Sequence, residues 1–117
     1  VLLMAAARRD FFLTVQHGQF YQGKPVIGYD LPGFGDELCG LPYLPRLIAK
    51  ARAKLVGSMG DDIIYCCEND RRFFRDHGNI HPADFLRVVW AAGDSDPKVY
   101  RIMSRCKKWK CPEWDDR

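Results

Sequence analysis

The sequence predicts an all-α, or nearly all-α, chain: a small helical domain of about four short helices with an extended N-terminal arm. Three observations lead there. Apolar residues recur at helical spacing at Leu44, Leu47, Ile48, Ala51 and Leu55. Proline and glycine bracket that stripe in the order helices favour, Pro42 and Pro45 ahead of it and Gly57 behind it. Upstream, residues 16–40 hold Gly18, Gly23, Pro25, Gly28, Pro32, Gly33, Gly35 and Gly40, a density that prevents any long helix.

The elements follow in order. Residues 1–15 open with leucines and alanines that favour helix, and this segment is expected to dock on the domain or on a partner. The arm of residues 16–40 interleaves its glycines with Phe20, Tyr21, Tyr29 and Phe34. Disordered linkers are aromatic-poor, so the arm reads as an extended segment laid onto a surface, either a partner's or its own domain's. Leu44 to Leu55 is the first domain helix, with Arg46, Lys50, Arg52 and Lys54 mainly on its other faces. A turn at residues 57–60 leads to Ile63-Ile64-Tyr65, which reads as an extended buried stretch. Three short helices then follow: Arg71 to His77 capped by Asn69 or Asp70, a helix opened by Pro82 and closed by Gly93, and one capped by Ser95 or Asp96. The division is 1–40 for helix and arm, 41–110 for the helical domain and 111–117 for a tail.

At 117 residues with a net charge of +3, the chain fits one domain, and the charge is too small to imply nucleic acid without a local cluster. No stretch reaches the roughly 18 apolar residues needed to span a bilayer. The five cysteines, with Cys66 and Cys67 adjacent, make a poor disulfide framework and read as thiols in a reducing compartment, cytoplasm or organelle interior. Cys106 and Cys111 could pair if the chain turns between them. A start at Val1 fits a processed precursor. Arg8-Arg9-Asp10-Phe11-Phe12 has the look of a twin-arginine export signal, but polar Gln16, His17 and Gln19 stand where an apolar stretch is needed.

The run Leu44-Pro45-Arg46-Leu47-Ile48-Ala49-Lys50-Ala51-Arg52-Ala53-Lys54-Leu55, then Gly57 and Gly60, Tyr65-Cys66-Cys67 and Asp70-Arg71-Arg72-Phe73-Phe74, resembles an uncharacterised bacterial family, domain of unknown function 5069. The resemblance covers about residues 35–103 and implies a short, mostly helical fold. It implies no activity, cofactor or partner. Glu68 stands where members usually carry a proline.

Four constellations bear on chemistry. Cys66, Cys67, His77 and His81 contain the ligand types of a zinc site, but adjacent cysteines diverge and Gly78 and Pro82 break any helix aligning the histidines. Cys66 and Cys67 precede a helix start near Arg71 and Arg72, a setting that activates thiols; with Tyr65, Cys67, Asp70 and Arg72 it defines a candidate ligand or catalytic site. The acids Asp61, Asp62 and Glu68 to Asp70 fall in a turn and at a cap, where acids serve local structure. Arg101, Arg105, Lys107, Lys108 and Lys110 accompany Trp109 and Trp114, a pattern open to nucleic acid, although tryptophan is equally an interface anchor.

The reading favoured is a non-enzymatic accessory or structural subunit of a larger protein assembly, such as an organellar respiratory or photosynthetic complex. Other protein subunits are the expected partners, bound through Phe20, Tyr21, Tyr29, Phe34, Trp109 and Trp114. Membrane association would be peripheral and through those partners. Nucleic acid is disfavoured, and no cofactor is predicted.

Overall fold

A computed structural model describes residues 2–105. Five helices make up most of it: α1 (Leu2–Thr14), α2 (Leu44–Val56), α3 (Glu68–Asp76), α4 (Pro82–Ala92) and α5 (Asp96–Arg105). The mostly helical class therefore holds. The strands β1 (Glu37–Leu38) and β2 (Leu41–Pro42) form an antiparallel hairpin that pairs Leu38 with Leu41. This hairpin was not expected. Its turn, Cys39 and Gly40, takes positive φ at both residues, which matches the twist of a two-residue hairpin.

The centre is α2 packed on α4. Leu44, Leu47, Ile48, Ala51 and Leu55 are buried, and meet Phe85, Leu86 and Val89 in the same core. Burying each of the leucine, isoleucine, valine and phenylalanine side chains stabilises the fold by about 1.5–3 kcal/mol. Gly57 ends α2 at φ 81°, its N–H donating to the Ala53 carbonyl at 3.0 Å. His81 caps α4, where its Nδ1 accepts from the Ala83 N–H at 3.0 Å. α5 adds Val99 and Met103 to the core.

α1 docks on this core through fully buried Ala7 and through Phe11, whose ring meets Trp90 edge-on at 5.2 Å. Arg8 Nε donates to the Lys54 carbonyl (2.9 Å) and Gln16 Nε2 to that of Val56 (3.0 Å). These bonds satisfy two of the carbonyls that the end of α2 leaves without helical partners.

The arm follows its own domain. Val26 bridges the loop after α2, taking Ser58 O on its N–H at 2.7 Å while its carbonyl accepts from Gly60 N at 2.7 Å. A Cβ at Gly60 would sit 2.8 Å from that carbonyl, which is why glycine suits the position. Further on, the Gly28 N–H donates to Asp62 Oδ2 and Arg46 to the Pro32 carbonyl. Leu31 is buried.

Three expectations need correction. Ile63 and Tyr65 are buried, but Ile64 between them is 66% exposed, because the segment turns rather than running as a buried strand. α3 begins at Glu68, not Arg71, because Asp70 sits inside its first turn and reaches back to the preceding N–H groups. Lys50 lies on the core side of α2.

Candidate functional site

The most polar place in the interior lies where α2 meets the start of α3. Asp70 is fully buried and Lys50 nearly so, and their side chains pair at 3.2 Å. A buried carboxylate persists only when its lone pairs are filled. Here Oδ1 accepts from the Tyr43 hydroxyl at 2.5 Å and from Lys50, while Oδ2 accepts from Lys50 and from the N–H groups of Cys66 (2.8 Å) and Cys67 (3.3 Å). Lys50 spends its remaining donor capacity on the Ile64 carbonyl (3.1 Å) and Cys67 Sγ (3.5 Å).

Local backbone makes this convergence possible. Tyr43, just before α2, has φ 78°, and Cys66, two residues before α3, has φ 74°. For residues with side chains, such left-handed conformations cost about 1–2 kcal/mol. At Cys66 the conformation aims two successive N–H groups at one carboxylate oxygen. At Tyr43 it opens α2 so that Tyr43 and Lys50, seven residues apart, share a face.

Burial is the main cause of the perturbed titrations. It pushes the Tyr43 hydroxyl well above the ordinary tyrosine range, reinforced by the bond to Asp70. Tyr65 moves the same way, again through burial first. Burial also raises the Cys66 thiol, against an opposing pull from Arg71.

Every lone pair of Asp70 is engaged by Lys50, Tyr43 or the two N–H groups, so it has none left to offer an added ligand. Tyr43 donates its proton to Asp70. The group left with chemistry to offer is Cys67 Sγ, half-buried at the N-terminus of α3 beside an ammonium. The cluster is first a clamp, tying the loop of residues 64–67 to α2.

Of the four residues expected to form a site, the structure brings Cys67 and Asp70 together. Tyr65 is buried, with its hydroxyl donating to the Pro82 carbonyl at 2.8 Å. Arg72 faces outward on α3, paired at 3.6 Å with Glu68, both well exposed. It rims an open pocket of about 270 Å³ walled by Phe34, Tyr43, Phe73 and His77. Tyr43 and Lys50 were missed. Their sequence signal is the stripe Tyr43, Leu47, Lys50, which continues the core face by four and seven residues.

His77 stacks on Phe73 and His81 caps α4, so the two histidines are spent separately. Among the described residues, no three of His, Cys, Asp and Glu gather as a metal site would need. The basic residues of α2 do not share one face: Lys50 is buried on Asp70, while Arg52 reaches Asp96 and the Gly93 carbonyl. Lys107, Lys108, Trp109, Lys110 and Trp114 lie outside the described residues, as do Cys106 and Cys111.

The arm aromatics behave differently. Phe20 is 74%, Tyr29 94% and Phe34 57% exposed. Phe34 is held by Arg46, whose guanidinium lies 4.2 Å above its ring, and Phe20 leans on Phe12. Tyr21 is exposed too and donates to the Lys24 carbonyl. Beside Phe20 a hollow of about 430 Å³ is floored by Met4 and Phe12 and edged by Arg8, Arg9 and Lys54.

A small helical domain built on an α2–α4 core, with a buried lysine–aspartate clamp, is the class these features define. Residues 35–113 match the family model described as domain of unknown function (DUF5069), and the chain belongs to that family. The match runs past Met103, where the resemblance was expected to stop, so residues 104–113 lie inside the family region, and residues 114–117 and those before 35 lie outside it. No curated protein and no solved structure matches the chain.

Proposed function

We propose that this chain is a non-enzymatic accessory subunit that docks into a larger protein assembly through its N-terminal arm. The observation that carries this reading is that the arm's backbone is bonded to its own domain while Tyr29 stands almost wholly in water and Phe20 and Phe34, which rest on Phe12 and Arg46, keep most of their surface exposed. Ordering a segment costs about 1–2 kcal/mol per residue in backbone entropy. A tethered arm with its largest apolar groups in water meets that cost without burying them, which fits a surface completed by a partner. Rigid aromatic groups are the usual anchors of protein interfaces. The saturated state of Asp70 supports the same reading, since it leaves the polar cluster to structure.

The fitting partner is a protein surface with apolar pockets and carboxylates, because Phe20 stands beside Arg8, Arg9 and Lys54. The test compares the chain from its native source with a Phe20→Asp/Tyr29→Asp/Phe34→Asp variant by size-exclusion chromatography with light scattering. The expected result is a defined assembly for the native chain and a free, folded chain for the variant. A native chain that elutes alone and well ordered overturns the reading. So does a native chain that is recovered only on vesicles of anionic lipid.

A further inference from the structure

The sulfur of Cys67 and the amine of Lys50 are 3.5 Å apart, and the fold holds them there. Lys50 is fixed from three sides by Asp70, by the Ile64 carbonyl and by its own helix α2. Cys67 is fixed as the residue preceding α3. The two belong to different elements, 17 residues apart in sequence. Cys67 is partly open to solvent, so a small oxidant can reach the sulfur, whereas Lys50 is buried and its amine is held in place by its bonds.

We propose that Lys50 and Cys67 are a covalent modification site: hydrogen peroxide joins them through one oxygen atom, as Cys67 Sγ–O–Nζ Lys50. The first peroxide transfers an oxygen to the thiol, giving the sulfenic acid and one water. Lys50 passes its third ammonium proton to Asp70, 3.2 Å away, and so becomes a neutral amine. The second peroxide then takes the sulfenic O–H hydrogen and one amine hydrogen as the O–N bond forms, leaving as two waters. In all, four electrons pass from sulfur and nitrogen to two peroxides, and three waters are released. The inserted oxygen spans the present gap with less movement than a direct S–N bond requires.

Electrostatics favour this outcome over oxidation of Cys67 alone. A sulfinate would place a second negative charge beside buried Asp70. The bridge instead removes the ammonium and the carboxylate charge together, leaving no buried charge unpaired. Cys66 has no such partner: its side chain has no hydrogen bond to an amine, and its N–H is committed to Asp70.

The experiment uses the full chain with Cys39, Cys66, Cys106 and Cys111 changed to serine, leaving Cys67 as its one thiol among the five cysteines. It is exposed to graded hydrogen peroxide and read by intact mass and peptide sequencing. The expected product is heavier by one oxygen and lighter by two hydrogens, with the Lys50 and Cys67 peptides joined. Excess dithiothreitol, as two dithiol equivalents, returns the starting mass. The bridge also raises the urea midpoint, because it locks α2 to the start of α3. In the same background Lys50→Arg gains only whole oxygens. Should that variant not fold, the joined peptide still decides the matter. A Cys67-only chain that gains whole oxygens alone, dimerises through sulfur, or links to another lysine overturns the proposal.

Discussion

The clamp between α2 and α3 and the arm of residues 16–40 invert one another. At the clamp, charged and polar groups go inside: Lys50 and Asp70 are 4% and 0% exposed. Along the arm, apolar groups go outside: Tyr29 and Phe20 are 94% and 74% exposed. Each departs from the ordinary rule that apolar residues are buried and charges solvated. The clamp compensates within the molecule, by filling nearly every donor and acceptor it buries. The arm compensates only in part, through Arg46 on Phe34 and Phe12 on Phe20, and the proposed docking role rests on that asymmetry.

The sharpest way to break this comparison is at Asp70. Asp70→Ala leaves the Lys50 ammonium buried without its counter-charge and strips Cys66 N, Cys67 N and the Tyr43 hydroxyl of an acceptor. The expected loss is about 3–5 kcal/mol by urea denaturation. Adding Lys50→Met recovers part of it. A loss below about 1 kcal/mol would mean the clamp holds nothing together.

Tyr43→Phe removes one bond to a charged acceptor, and about 1.5–3 kcal/mol should go with it. The same residue makes a prediction about pH. Folded Tyr43 and Tyr65 hold their protons more tightly than the unfolded chain does. Their contribution is therefore intact below the ordinary tyrosine value of about 10 and declines as pH rises above it. Stability measured up the alkaline side should fall, and Tyr43→Phe should make that fall shallower. An unchanged slope would show that Tyr43 titrates alike in both states.

Gly57→Ala tests the seam between α1 and α2. Its φ of 81° is unfavourable for alanine, and the Arg8 guanidinium stands where the methyl group would go. Thermal unfolding should report a loss of about 1–2 kcal/mol. Smallest of all, Tyr29→Asp should shift stability by less than about 0.5 kcal/mol, because the ring is almost wholly in water. If it instead destabilises the isolated chain, the arm serves its own fold and the comparison fails.

How much was legible from the residues follows the same division. α2 and α4 could be read because an apolar stripe, a leading proline and a trailing glycine agree, and α5 because its stripe follows a capping residue and Pro97. The start of α3 was misplaced because Asp70 looks like a capping residue, whereas it reaches back from inside the first turn. Lys50 escaped because a lysine on a helix is taken as solvated, and only the position of Asp70, 20 residues away, overrides that. Local patterns carry no information about such a distant partner. The hairpin of Glu37 to Pro42 is too short for alternation to show. Family membership concerned residues 35–113, yet the exposed rings of Phe20 and Tyr29 lie before it.

The bonds that fasten α1 have a bearing on how the chain is made. Arg8 and Gln16 are held by carbonyls 46 and 40 residues further on, and Asp10 by Arg87, 77 residues further on. During synthesis α1 therefore leaves the ribosome with nothing in this domain to settle against until α2, and then α4, have followed it out. Its leucines wait in the open meanwhile, Leu2 and Leu3 remaining exposed even when the fold is finished. α1, translated before the helices it rests on, is thus among the last secured, and this interval is when chaperones have the most apolar surface to hold.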